Sequence, residues 1–80
     1  MPITEIVRIL AVAEGGGARF ELLHDVDGRM RADEATVGWP RFFVREVRAG
    51  RLVAVHGPYD AEDDAVAEAE GRGAGGFRPA

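Results

Sequence analysis

Two β-rich runs separated by only two residues constrain this chain more than any other feature. Residues 41–48 read RFFVREVR, residues 51–57 read RLVAVHG, and Ala49-Gly50 lies between them. β-branched and aromatic side chains favour pleated backbone, and so short a loop joins only antiparallel neighbours. Gly50 supplies the positive φ that such a turn requires. Strand alternation then puts Phe42 and Val44 on one face, with Phe43 and Val47 on the other. Arg41 and Arg45 share the second face, which is expected to be half exposed, with arginine stems over Phe43.

The run before this hairpin admits two readings. In ITEIVRILAVAE, residues 3–14, Ile3, Ile6, Val7 and Leu10 have helical spacing, and Pro2 suits a first helical position. Its β-branched content and the following Gly15-Gly16-Gly17 favour a strand instead. ARFELLHD, residues 18–25, is then its hairpin partner. Asp25-Val26-Asp27-Gly28 reads as a turn with a left-handed glycine. A weakly alternating third strand is expected over 29–37, broken by Gly38-Trp39-Pro40.

After the strong hairpin the period changes. Asp60 reads as an N-cap, with Asp63 three residues on as a shortened capping box. The helix is expected over about 61–70, with Gly71 closing it and Ala61, Ala65, Val66 and Ala69 as its apolar face. The glycine-rich tail, GRGAGGFRPA, is expected to be flexible. The architecture predicted is α+β: an antiparallel sheet of four to five strands with one C-terminal helix packed on a face. Eighty residues support a single small domain, placed at 1–71, with a tail at 72–80.

Composition narrows the chemistry. The chain has no Ser, Cys, Lys, Asn or Gln. Most side-chain nucleophiles, the Schiff-base amine and the usual amide oxyanion donors are therefore missing. All ten basic residues are arginine, which fits either a GC-rich coding bias or a use for bidentate guanidinium contacts. No cofactor or metal is expected, and we read the chain as non-enzymatic. Glu5 and Arg8 interrupt the first apolar run, which does not resemble a secretory signal. No apolar stretch approaches the ~20 residues of a membrane span. The expected location is the cytoplasm of a bacterial host cell.

Charge is the main functional signal. Net charge is −4, yet residues 60–70 alone hold six carboxylates and no base: Asp60, Glu62, Asp63, Asp64, Glu68 and Glu70. Early carboxylates favour a helix through its positive end. Glu68 and Glu70 lie near the negative end, and Asp64 repels Glu68 one turn on. Arg72 is the one base placed to relieve Glu68. The bland reading is a solvated face. The sharper one is a docking surface for a basic protein partner, where carboxylates occupy a groove built for phosphates. Direct nucleic-acid binding is not expected, because phosphate contacts need a basic stripe. The alternative is a small regulatory or accessory interaction module that binds through the hairpin's Arg41, Arg45, Arg48 and Arg51 with Trp39, Phe42 and Phe43, since arginine and aromatics dominate hot spots.

Other constellations are weaker. Asp25-x-Asp27-Gly28 lacks the further ligands of a calcium loop, and Thr36 stands at its twelfth position. His24, His56 and Tyr59 with an arginine outline a small RNase, a reading the acidic balance opposes.

Two resemblances add to this. VAVHGPYDAEDDAVAEAE locally resembles a SPOR peptidoglycan-binding module, through Val53–His56, Gly57, Tyr59 and Ala65. It covers about a quarter of the chain, and such modules continue with further strands and a second helix. In length, acidity and sheet-plus-helix plan, the whole chain is similar to small phage-encoded anti-CRISPR proteins directed at type I systems, type I-C among them. That likeness is one of style, without a shared motif. It implies an inhibitor, monomeric or homodimeric, that binds a subunit of the CRISPR surveillance complex and blocks its DNA-binding surface.

Overall fold

The computed structural model describes residues 7–25 and 41–80. It has five strands and one helix: β1 (Val7–Gly15), β2 (Ala18–Asp25), β3 (Arg41–Arg48), β4 (Arg51–Tyr59), α1 (Glu62–Gly71) and β5 (Arg78–Pro79). The strands form one antiparallel sheet in the order β4-β3-β2-β1-β5. The expected α+β architecture is what the chain adopts.

Residues 7–15 are strand, not helix. They pair with β2 across the Gly16-Gly17 turn, with a bulge between Ile9 and Ala11. The strong hairpin forms as the sequence requires. Arg48 faces Arg51, and both turn residues take positive φ, 51° at Ala49 and 75° at Gly50. That pair of left-handed residues matches the twist of two-residue hairpins. β4 runs two residues further than the expected 51–57, to Tyr59. The strand expected at 29–37, Trp39 and most of the Asp25–Gly28 turn lie outside the described residues.

Register decides the two faces. Phe20, Leu22 and Ala18 of β2 line up with Val44 of β3, and Ala65 and Ala69 of the helix pack on them. All six are buried, and Phe20, Val44, Ala65 and Ala69 have no accessible surface. The alanines let the helix lie close, so the core is filled mainly by the sheet's large side chains. On the opposite face Leu23 and Phe43, direct register partners, are also buried.

The helix differs in detail from expectation. Its N-cap is Ala61, with no side-chain cap bond, because the Asp60 carboxylate is drawn to the Arg41 guanidinium. Ala61 is exposed rather than part of the packed face. Gly71 is the last helical residue; Arg72 caps the end and Gly73 takes the positive φ. A ten-residue helix without a cap is marginal alone. It depends on its alanine stripe against the sheet.

The tail also departs from expectation. Residues 72–80 are not a free extension. Ala74 and Phe77 pack against the core, Gly75 N–H donates to Glu14 C=O at 2.9 Å, and Arg78–Pro79 pairs with β1. Its glycines let the backbone cross β1 closely. The single domain therefore takes in the tail.

Candidate functional site

Ion pairing sorts the charges of the molecule. On the face opposite the helix, Glu21 lies directly across from Arg45 and holds it at 2.5 Å, with Arg19 at 3.3 Å. On the helix-bearing face, Glu46 binds Arg48 at 2.9 Å and His56 at 3.0 Å. Arg48 also donates to Gly16 C=O at 2.9 Å, tying the two hairpin turns together. Arg41 pairs with Asp60, and Arg78 approaches Glu14. Each of Arg41, Arg45 and Arg48 is thus bound to a carboxylate within the chain, although Glu21 is shared with Arg19 and the exposed Arg51 forms no ion pair among the described residues.

The helix is the opposite case. Glu68 binds Arg72 one turn on, at 2.5 Å, as the sequence spacing allows. Glu62, Asp63, Asp64 and Glu70 are exposed and form no ion pair among the described residues. Every other carboxylate of the described residues has a partner. The six helix-segment carboxylates therefore divide. Asp60 and Glu68 are structural, and Glu62, Asp63, Asp64 and Glu70 make a ridge of free negative charge.

Tyr59, at the end of β4, links the ridge to the sheet. It faces Phe42 in register, and its phenol pKa is raised by burial and by the nearby Glu68 carboxylate. Glu68 therefore lies on the side of the helix turned toward β4. Asp64, one turn earlier, shares that side.

The two histidines do not meet. His24 is opposite Phe42 and stacks on it, with ring centroids 4.7 Å apart. His56 is opposite Val44 on the far side of β3. Two strand spacings and a two-residue offset along β3 put them about 12 Å apart. His56 instead contacts Glu46, whose carboxyl pKa is lowered by hydrogen bonds from His56 and Arg48. Sequence reasoning missed this link, since it depends on the bulged β3–β4 register. No group of three or more metal-ligating side chains occurs among the described residues. A hollow of about 480 Å³ lies between the hairpin turns, lined by Glu14, Arg19 and Val47 among others, and neither histidine reaches it. No described helix is long and apolar enough to cross a membrane.

The fold and surface define a small α+β domain with a free acidic ridge. Comparison with protein-family models, with curated proteins and with solved structures gave no match.

Proposed function

We propose that this chain is a non-enzymatic inhibitor that places its acidic helix in a basic, phosphate-binding groove of a partner and keeps nucleic acid out. The partner assigned is a type I CRISPR surveillance complex, and the step blocked is binding of target DNA. The observation that carries the reading is the division of charge. Among the described residues, Glu62, Asp63, Asp64 and Glu70 stay exposed without ion pairs, while Arg41, Arg45 and Arg48 of β3 are bound to carboxylates of the same chain. Local stability accounts for only part of this arrangement, since Glu62, Asp63 and Asp64 lie in the first turn, where the helix dipole favours them, and Glu70 does not. Glu70 opposes the helix dipole at the other end, and Arg72 relieves Glu68 but not Glu70. A rigid row of anions steers association with a cationic groove and competes with phosphates there.

The test is a DNA-binding assay with a purified type I complex and increasing amounts of this protein. The reading expects stoichiometric loss of target binding, relieved as salt rises. Undiminished DNA binding at a large excess of the protein counts against it.

A further inference from the structure

β4 is the outer strand at one end of the sheet, and no described strand pairs with its far side. Its exposed run is apolar: Leu52, Val53 and Val55 are 59%, 54% and 43% exposed. An unpaired apolar edge is a template for another strand. The spacing of β4's own side chains decides which strand fits.

The β3–β4 register is irregular in two places. β4 carries an extra residue, Val53, between Val47↔Leu52 and Glu46↔Ala54. Between Val44↔His56 and Phe42↔Tyr59 it sets Gly57 and Pro58 against Phe43 alone. Residues directly opposite share a face. Arg51, Ala54, His56 and Tyr59 therefore lie on the helix-bearing face with Arg48, Glu46, Val44 and Phe42. These four positions are symmetric about Val55. A regular strand follows β4 only with the two-against-one mismatches that β3 makes. Against an antiparallel copy of β4 centred on Val55, Leu52-Val53 meets Gly57-Pro58 and the faces match throughout, as a two-fold axis requires.

Charge agrees with that register. Arg51 is exposed and forms no ion pair among the described residues. It would stand opposite Tyr59 of the other copy, on the helix-bearing face. From Tyr59 the chain passes through Asp60 and Ala61 to Glu62, the first residue of α1, exposed and likewise without an ion pair. Each free cation thus comes to the acidic helix entry of the other copy, twice by symmetry. The two Arg51 residues lie at opposite ends of the paired strands, about 27 Å apart, and do not repel. On the other face Val55 meets its own copy, and Leu52 lies beside Pro58.

We propose that a second copy of this chain pairs with β4, antiparallel about a two-fold axis at Val55, joining the two five-stranded sheets into one. Pro58 donates no hydrogen bond, so the new ladder is confined to residues 53–57. The inference goes beyond the proposed function and does not rest on it. Glu62 is the ridge carboxylate engaged, and Asp63, Asp64 and Glu70 stay free for a basic partner.

The test uses the intact protein. Analytical ultracentrifugation up to about 1 mM reads the oligomer, and amide exchange by NMR reads its location. The proposal expects a monomer–dimer equilibrium in which outward amides between Val53 and Gly57 gain protection as concentration rises. Arg51 and Val55 are exposed, so changes there leave the fold intact. Val55→Lys sets two lysines together at the axis, and Arg51→Glu sets a carboxylate beside Glu62. Each should raise the dissociation constant by roughly tenfold or more, while Arg51→Lys stays near wild type. Mixing the Arg51→Glu and Glu62→Arg proteins should restore a dimer with one chain of each, because the reversed charges meet.

A protein that stays monomeric over that range overturns the proposal. So does a dimer whose protected amides lie outside β4. Protection of residues 53–57 that does not change with concentration also overturns it, and assigns the edge to the chain's own residues. Equal dimerisation by wild type and Arg51→Glu overturns the charge pairing, and with it the register centred on Val55.

Discussion

His56 Nε2 lies 3.0 Å from the Glu46 carboxylate, diagonally across the β3–β4 pair, and Arg48 closes on the same carboxylate at 2.9 Å. These contacts favour the ionised carboxylate and hold its pKa below the ordinary 4.5. The folded state therefore takes up its proton at lower pH than the unfolded chain does. The stability this group contributes is present above about 4.5 and is lost as pH falls through the depressed folded value. Urea denaturation from pH 7 to pH 3 is expected to show that loss. Glu46→Gln should flatten the acid limb; an unchanged limb contradicts the assignment.

Ala49 holds φ at 51° in the β3–β4 turn, a left-handed conformation that costs an alanine energy and suits asparagine better. Ala49→Asn keeps Gly50 and gives the Asn-Gly pair of a type I′ turn. It is expected to stabilise the domain by about 0.5–1 kcal/mol, measured as a higher urea midpoint. Destabilisation would mean that the turn is not of this type.

Gly15 and Gly73 meet backbone to backbone. A Cβ at Gly15 would overlap the Gly73 carbonyl oxygen and crowd Gly75 N at 3.2 Å. Gly15→Ala should lift the tail from β1 and cost about 1–3 kcal/mol. The amides of Gly75 and Ala80, which donate to Glu14 and Leu10, should lose exchange protection first. Retained protection at both would show that the tail does not depend on this contact.

Phe20 has no accessible surface and stands between β2 and the helix alanines. Phe20→Ala is expected to cost about 3–5 kcal/mol, enough to unfold much of a domain this small. Ala69→Leu tests the close approach of the helix, because a larger side chain there forces it off the sheet at about 1–3 kcal/mol. Thermal unfolding followed by circular dichroism checks both.

Sequence and structure agree where signals are local. β2 and β3 run over the residues expected, because alternation and the glycine turns act within a few positions. The side-chain pattern that separates Phe42 and Val44 from Phe43 and Val47 follows from the same period. The misses are long-range. Asp60 looked like a cap, but Arg41 at the start of β3 takes its carboxylate. The tail's GRGAGGFRPA has no alternation, and its strand exists only because β1 offers an edge and Phe77 finds the core. The free ridge was legible as a block of carboxylates. Which members are free was not, since Asp60 and Glu68 are engaged by arginines and the others are not.

The central claim is that the unpaired helix carboxylates bind a basic partner. The most direct measurement compares wild type with the triple variant Asp63→Asn, Asp64→Asn, Glu70→Gln. Glu68 is kept, because it holds Arg72. Surface changes of this kind should move stability by no more than about 0.5 kcal/mol. Calorimetric titration into a type I CRISPR surveillance complex at low salt should show affinity lower by roughly tenfold or more, with a shallower salt dependence. Equal affinity for the two proteins at low salt, with the fold intact, would contradict the account.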